Sequence, residues 1–245
     1  MAGRALAVVH QPDADPGVFA EAAAAQGWEL VAWPIAEDPD PPEDPLSFHA
    51  VLSFGGSANV DQDAHYPWLT IEKALLSSLL TARVPVLGVC LGAQLLAEAA
   101  GAPAQRAREP EIGWSAVELT AAGAEDPLMA ALAPGFLALQ WHSYEFPLPP
   151  GAVALARSPA CLQAYRIGDQ AWGLQFHAEV SGENLERWID ELGHNPDALA
   201  QGVDPSALRS QSQARLEAWN ALGRDLAARF LDRALALSRG LRAAG

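Results

Sequence analysis

Cys90 stands in the segment Val86-Leu-Gly-Val-Cys-Leu-Gly-Ala-Gln94, where an apolar strand-like run ends and helical composition begins at once. Gly88 and Gly92 flank it at two residues on either side, the frame of a tight strand-to-helix elbow. Such a turn needs glycine because neighbouring backbone passes where a β-carbon would collide. It would lift the thiol out of a sheet and set it at a helix N-terminus, where the helix dipole and free N–H groups favour thiolate. An ordinary buried cysteine is the alternative. A cysteine nucleophile needs a histidine base, and the base an orienting group. Gly173-Leu-Gln-Phe-His-Ala-Glu179 offers both in His177 and Glu179. Two residues apart on an extended chain, they project to one side about 6–7 Å apart. An exposed strand end with two polar residues is the plain alternative. Ser53-Phe-Gly-Gly-Ser57 closes another strand-like run. Backbone N–H groups there, with that of Leu91, would form an oxyanion hole, although a Gly-Gly pair is also an ordinary turn.

These segments require strand ends on one edge of a sheet. Strand candidates are Leu6–Val9, Trp28–Trp33, His49–Phe54 and Val84–Val89, and helix candidates Phe19–Gln26, Pro67–Arg83 and Leu91–Ala100 alternate with them. Alternation of this kind implies parallel strands joined by crossover helices. Functional sites then lie at the strand carboxyl ends. Ala116–Leu119, Leu137–Trp141, Val153–Ala156, Leu162–Ile167 and Ala171–Phe176 read as further strands, several of them antiparallel. Glu183–Leu192 reads as a helix, and Glu37–Pro45, acidic and Pro-rich, as an exposed loop. From Ser206 to Leu241, Trp219, Leu222, Leu226, Phe230, Ala234 and Leu237 make an apolar stripe. That is one helix, or two broken near Gly223, docked on the chain's own core; a homodimer or partner face is the other use.

With 15 basic and 30 acidic side chains, the net charge of the 245 residues is −15. One lysine and scattered arginines exclude a general polyanion-binding surface, so nucleic acid is not an expected partner. Any protein partner would dock through a basic face. No run approaches a membrane span, and Met1-Ala-Gly-Arg-Ala-Leu-Ala-Val-Val9 reads as a strand rather than a signal peptide. Two distant cysteines indicate a reducing, cytoplasmic setting without disulfide or zinc framework. Cys161 reads as a packed apolar residue, and His10, His49, His65 and His194 share no metal-ligand spacing. Trp114 and Trp172 read as core or pocket wall, and Asp61 and Asp63 as a solvated loop.

In ordered succession over residues 49–180, the chain resembles the class I, triad-type glutamine amidotransferases, in the single-domain branch similar to the glutaminase domain of GMP synthetase. Gly88–Gln94 resembles the family's G-x-C-x-G-x-Q motif, Phe176–Glu179 its F-H-P-E motif, and Phe54–Ser57 its oxyanion loop. Leu139-Gln-Trp-His-Ser-Tyr144 sits where the family carries W-H-G-D or S-H-G-D. The resemblance implies a three-layer α/β fold: a mostly parallel, flavodoxin-like sheet between helices, with an antiparallel extension and a C-terminal helical tail. Residues 1–195 would be the amidotransferase-like domain and 196–245 a helical extension packed on it or on a partner. Cys90 would be nucleophile, His177 general base and acid, and Glu179 orienter. Gly56 and Leu91 would supply oxyanion amides, and Gln94, His142 and Ser143 would contact substrate. The implied reaction cleaves a γ-glutamyl amide through a γ-glutamyl thioester, releasing ammonia or amine, with no metal or cofactor. No ATP-binding domain or phosphate loop is read in the chain, so ammonia supply would require a separate synthase subunit. A catalytically silent binding protein is the remaining alternative. Three departures stand out. Ala178 replaces the family's proline, Ser143-Tyr144-Glu145 replaces Gly-Asp, so that either Glu145 stands in as the carboxylate or the substrate differs from free glutamine, and Gly56-Ser-Ala-Asn-Val60 replaces Gly-Pro-Met-Ser-Val.

Overall fold

A computed structural model describes residues 3–244, with side chains described to residue 239; Met1 and Ala2 of the first strand candidate, and Gly245, lie outside them. β1 (Arg4–Val9), β2 (Glu29–Pro34), β3 (Ala50–Ser53) and β4 (Val86–Val89) fall where the apolar runs place them. They pair in parallel, and β9 (Ala171–Leu174) joins β4, also in parallel. β5 (Gln105–Leu119), β6 (Gly135–Glu145), β7 (Val153–Arg157) and β8 (Leu162–Ile167) add an antiparallel wing. The described residues form one sheet in the order β2-β1-β3-β4-β9-β8-β7-β5-β6. β3, β4 and β9 are buried at every residue, as strands covered on both faces must be, and so carry no polar alternation.

Side chains alternate between the two faces. Ala5 and Ala7 of β1 enter the core under α1 (Gly17–Ala25), α5 (Gly182–Asp190) and α7 (Pro205–Ala244). Leu6 and Val8 enter the core under α2 (Trp68–Ala82) and α3 (Leu91–Ala99). Two short helices, α4 (Ala121–Glu125) and α6 (Pro196–Gln201), fill the connections. The layers are therefore helix, sheet, helix.

Two strands differ from expectation. Ala116–Leu119 is only the end of the 15-residue β5, whose first half, Gln105–Glu111, is charged and carries Pro110 at an irregularity in its pairing with β6. That half has no apolar alternation because both of its faces are largely open to solvent: of its residues only Ala107 is buried. Ala171–Phe176 is strand only to Leu174, after which the chain bends.

α7 runs unbroken through Gly223, and its stripe lies on the chain's own core: Trp219, Leu226, Phe230 and Ala234 are buried. A glycine inside a helix costs about 1 kcal/mol relative to alanine, so its presence needs a cause. A β-carbon at Gly223 would stand 2.0 Å from the Ala178 carbonyl oxygen. The glycine lets the helix cross directly over the segment that carries His177 and Glu179. Gly223→Ala is accordingly expected to destabilise the fold by about 1–3 kcal/mol, as forced overpacking does, despite alanine's better helix propensity. Urea denaturation checks this, and equal or greater stability would contradict the close approach.

Candidate active site

Cys90 caps α3 at φ 51° and ψ −108°, a left-handed conformation rare for any residue with a β-carbon. Holding it there costs on the order of 1–3 kcal/mol, so the surroundings must determine it. The Cys90 N–H donates to the Leu174 carbonyl at 2.7 Å, its own carbonyl accepts from the Gln94 N–H at 3.0 Å, and the Gly92 N–H donates to the Phe54 carbonyl at 3.0 Å. A β-carbon at Gly88 would meet the Gly92 carbonyl oxygen at 2.6 Å, and one at Gly92 the Ser53 carbonyl oxygen at 2.2 Å. The flanking glycines thus let β3, β4 and α3 close on one another around the thiol.

His177 and Glu179 come together, though not by strand alternation. The bend after β9 turns their side chains inward until His177 Nδ1 lies 2.7 Å from Glu179 Oε1. Four other elements hold the bend. The His177 N–H donates to the Leu139 carbonyl at 2.9 Å, and the Glu179 carbonyl accepts from the Val18 N–H at 2.8 Å. Trp219 Nε1 donates to the His177 carbonyl at 2.8 Å. Trp188 of α5 stands edge-on to the imidazole, ring centres 4.8 Å apart. The missing proline at 178 is replaced by this external clamp.

The other ring nitrogen, Nε2, is buried without a hydrogen-bond partner among the described residues, and the ring and Cys90 meet at Gly55. A β-carbon on Gly55 would lie 3.0 Å from His177 Cε1 and 3.7 Å from the Cys90 β-carbon. Burial opposes charge on this ring, but the Glu179 carboxylate and the Cys90 sulfur outweigh it and push the His177 pKa up to about 10.

Over the thiol opens a cavity of about 380 Å³, lined by Cys90, Gly56, Leu91, Gln94, His142, Ser143 and His177. The Gly56 and Leu91 N–H groups have no hydrogen-bond acceptor among the described residues. Gln94 Nε2 donates to the Tyr144 carbonyl at 3.2 Å and to Gln175 Oε1 at 3.3 Å, and its side chain is buried. Ser143 Oγ donates to Asp197, and Tyr144 Oη to Asp61 at 3.0 Å. Asp63 pairs with Lys73. Glu145 is not among the lining residues; it accepts from Gln105 instead.

His142 Nδ1 donates to the Tyr144 carbonyl at 3.0 Å, and Nε2 lies 3.3 Å from Glu111. Glu111 also accepts from Gln163 at 2.7 Å, Ser158 at 2.9 Å and the Cys161 thiol at 3.5 Å. Glu111, His142 and Cys161 could together face a cation. With the carboxylate already served by several donors, they read as a hydrogen-bonded floor beneath His142. Cys161 is therefore not a plain apolar residue. Burial and Glu111 push its thiol well up, away from the nucleophilic form.

Several lining residues have no counterpart in the sequence reading: Gln11 and Asp13 after β1, and Trp188, Glu191, His194 and Asn195 before α6. A local signal existed for the last, since Asn195-Pro196-Asp197 is a helix start and Asn195 Oδ1 accepts from the Asp197 and Ala198 N–H groups at 3.0 Å. Nothing local shows that this start closes a pocket 100 residues away in sequence.

Strand-end cysteine, doubly wound sheet and family sequence pattern agree: the chain belongs to the class-I glutamine amidotransferase family, which residues 20–190 match. It is 30% identical over 217 residues to the glutamine amidotransferase-like protein YfeJ of Salmonella typhimurium, covering 87% of this chain and 89% of that one. It is 36% identical over 172 residues to the glutamine-hydrolysing GMP synthase of Thermomicrobium roseum, covering 67% of this chain but 31% of that enzyme. A Pseudomonas γ-glutamyl-L-1-hydroxyisopropylamide hydrolase is 34% identical over 116 residues, 44% of this chain and 39% of the hydrolase. The crystal structure of a glutamine amidotransferase from Thermotoga maritima superposes with a TM-score of 0.84 at 27% identity, covering 94% of this chain and 99% of that one.

The imidazolium of His177 persists as pH rises and is lost only through about 10, because its two neighbours favour the charged ring. Replacing Glu179 by Gln removes the stronger of the two. The His177 ring resonances, followed by NMR, are expected to titrate about one to three pH units lower in Glu179→Gln. An unmoved midpoint would show that Glu179 does not set the charge.

Proposed function

We propose that this chain hydrolyses a γ-glutamyl amide, glutamine or a γ-glutamyl compound, through a thioester on Cys90. The observation that carries the reading is His177, buried at the foot of the cavity with Nδ1 on Glu179 and the other side of its ring toward Cys90. The Cys90 thiolate attacks the γ-carbonyl carbon, and the oxyanion forms against the Gly56 and Leu91 amides. As the C–N bond breaks, His177 gives its proton to the departing nitrogen, which leaves as ammonia or amine. Water then attacks the thioester, His177 takes its proton, and the C–S bond breaks to return the thiolate and release glutamate. Glu179 keeps the imidazole oriented, while Gln94, His142 and Ser143 hold the γ-glutamyl group. No step calls for a metal or cofactor. Residues 196–245 serve as an extension that braces the site from behind through Trp219 and Gly223.

A second reading is a glutaminase subunit that feeds ammonia to a separate synthase. Its support is the 36% identity over 172 residues to a glutamine-hydrolysing GMP synthase, an enzyme named for both glutamine hydrolysis and synthesis. Among the described residues no helix is long and apolar enough to cross a membrane.

Purified protein should release glutamate from glutamine or from members of a γ-glutamyl amide and peptide panel. An electrophilic glutamine analogue should label Cys90. Cys90→Ala and His177→Ala should each lose on the order of 10³-fold or more in kcat. Turnover of γ-glutamyl peptides by the chain alone supports the hydrolase, and glutaminase activity that appears only with an added synthase supports the subunit. Full turnover by Cys90→Ala would sink both.

A further inference from the structure

We infer that His10 is a positioning residue that holds the Gly55-Gly56 peptide in the orientation the oxyanion hole requires. The inference rests on the chemistry proposed for Cys90, and its subject is a histidine with no apparent role in the sequence. His10 follows β1 and is buried, its ring stacked on Trp68 at 4.8 Å. Its Nδ1 lies 2.9 Å from the Gly55 carbonyl oxygen. A carbonyl only accepts, so Nδ1 carries the proton and donates. The opposite nitrogen, Nε2, lies 2.6 Å from Oε2 of Glu72, a fully buried carboxyl on α2. Oε1 of Glu72 accepts from Ser53 Oγ at 2.6 Å. Ser53 is the last residue of β3, immediately before the Phe54-Gly55-Gly56 turn. A relay of three buried side chains therefore ends on one peptide of the candidate oxyanion loop.

That peptide is the one that matters. It is trans, so its carbonyl and N–H point in opposite directions. With the Gly55 carbonyl drawn onto His10, the Gly56 N–H is turned away from His10, to the side where Gly56 and Cys90 line the cavity. Two consecutive glycines resist a peptide flip less than any other pair, because neither has a β-carbon to forbid the alternative dihedrals. A flipped peptide would turn a carbonyl oxygen toward the developing oxyanion. The glycines are also needed for the relay to reach, since a β-carbon at Gly56 would stand 2.9 Å from the β-carbon of His10. Glu72 in turn fixes the ring: burial disfavours a charged His10, but the Glu72 carboxylate outweighs it and raises the His10 pKa.

The test compares His10→Leu and His10→Asn with wild type. Asparagine places an N–H donor close to where Nδ1 stands; leucine has none. Three quantities are read: kcat and KM on the best γ-glutamyl amide of the panel, the rate of Cys90 alkylation by iodoacetamide, and the Gly55-Gly56 peptide orientation in crystals of each variant. Alkylation needs the thiolate but no oxyanion hole, so it controls for an intact nucleophile. The expected result for His10→Leu is kcat lowered about 10²–10³-fold, the loss associated with one oxyanion donor. KM and the alkylation rate should stay within about threefold of wild type and the peptide should be rotated, while His10→Asn recovers most of kcat. The inference is overturned if His10→Leu keeps kcat within twofold, if alkylation falls in parallel with kcat, or if the peptide stays in place. Should wild type turn over no γ-glutamyl amide, the proposed chemistry falls, and the peptide orientation in His10→Leu still decides the role of His10.

Discussion

The backbone of Cys90 is the constraint on which the site depends. A residue with a β-carbon at φ 51° is held there only if its neighbours leave no cheaper conformation. Here the constraint is imposed from the two strands that flank β4. β9 takes the Cys90 N–H through Leu174, and the Phe54 carbonyl beyond β3 takes the N–H of Gly92. Gly88 and Gly92 are required because three pieces of backbone come too close for β-carbons. The parallel order β3-β4-β9 is what brings these partners to one edge. The same order puts the Phe54-Gly55-Gly56 segment on one flank of the thiol and the His177 bend on the other. Sheet topology and the geometry of Cys90 are thus one arrangement, and the strain at Cys90 is balanced by hydrogen bonds that belong to the fold.

His177 and Glu179 are restrained differently. Their segment has no regular structure, and Ala178 supplies no dihedral restraint of its own. Rigidity comes from outside: α1 takes the Glu179 carbonyl, β6 the His177 N–H, and α7 the His177 carbonyl. Gly17 and Gly223 mark the two closest approaches, where β-carbons would stand 2.0 Å from the carbonyl oxygens of Glu179 and Ala178. α7 begins beyond the residues 20–190 that match the family, yet it bears directly on the bend that carries the histidine. A loop with so little intrinsic order keeps its geometry only while that long helix is docked.

Much of this was legible in the sequence, and the limits were physical. The Gly88-Cys90-Gly92 frame could be read because the need for glycine is local: a tight turn leaves its mark on the residues that make it. The strands that feed the site were legible because burial on both faces forces short apolar runs. His177 and Glu179 were identified by type and spacing, but their convergence was assigned to strand alternation, and the chain in fact bends after Leu174. The bend is set by contacts from Val18, Leu139 and Trp219, which no local pattern records. Gly223 looked like a helix breaker because its reason lies 45 residues away, at Ala178. The first half of β5 carries no strand signal because it is exposed on both faces, with only Ala107 buried, and so needs no apolar residues. His10 showed nothing at all, since its partners Gly55 and Glu72 are 45 and 62 residues distant.

The electrostatics of the buried group suit a histidine that must serve as acid and then as base. In the proposed chemistry the first half-reaction needs a proton for the departing nitrogen. A ring held protonated to about pH 10 by Glu179 and the Cys90 sulfur has that proton in place. Its Nε2 has no hydrogen-bond partner among the described residues. The second half-reaction needs the same nitrogen to accept a proton from water. Once Cys90 is acylated its charge is gone, and with it one of the two influences that raise the ring's pKa, while the burial that lowers it remains. In the proposed chemistry, forming the thioester would therefore turn His177 from acid toward base without any movement of the side chain. Glu179 then remains as the influence that raises the pKa against burial. A carboxylate at 2.7 Å keeps the ring oriented through both steps and prevents it from becoming too weak a base to deprotonate water.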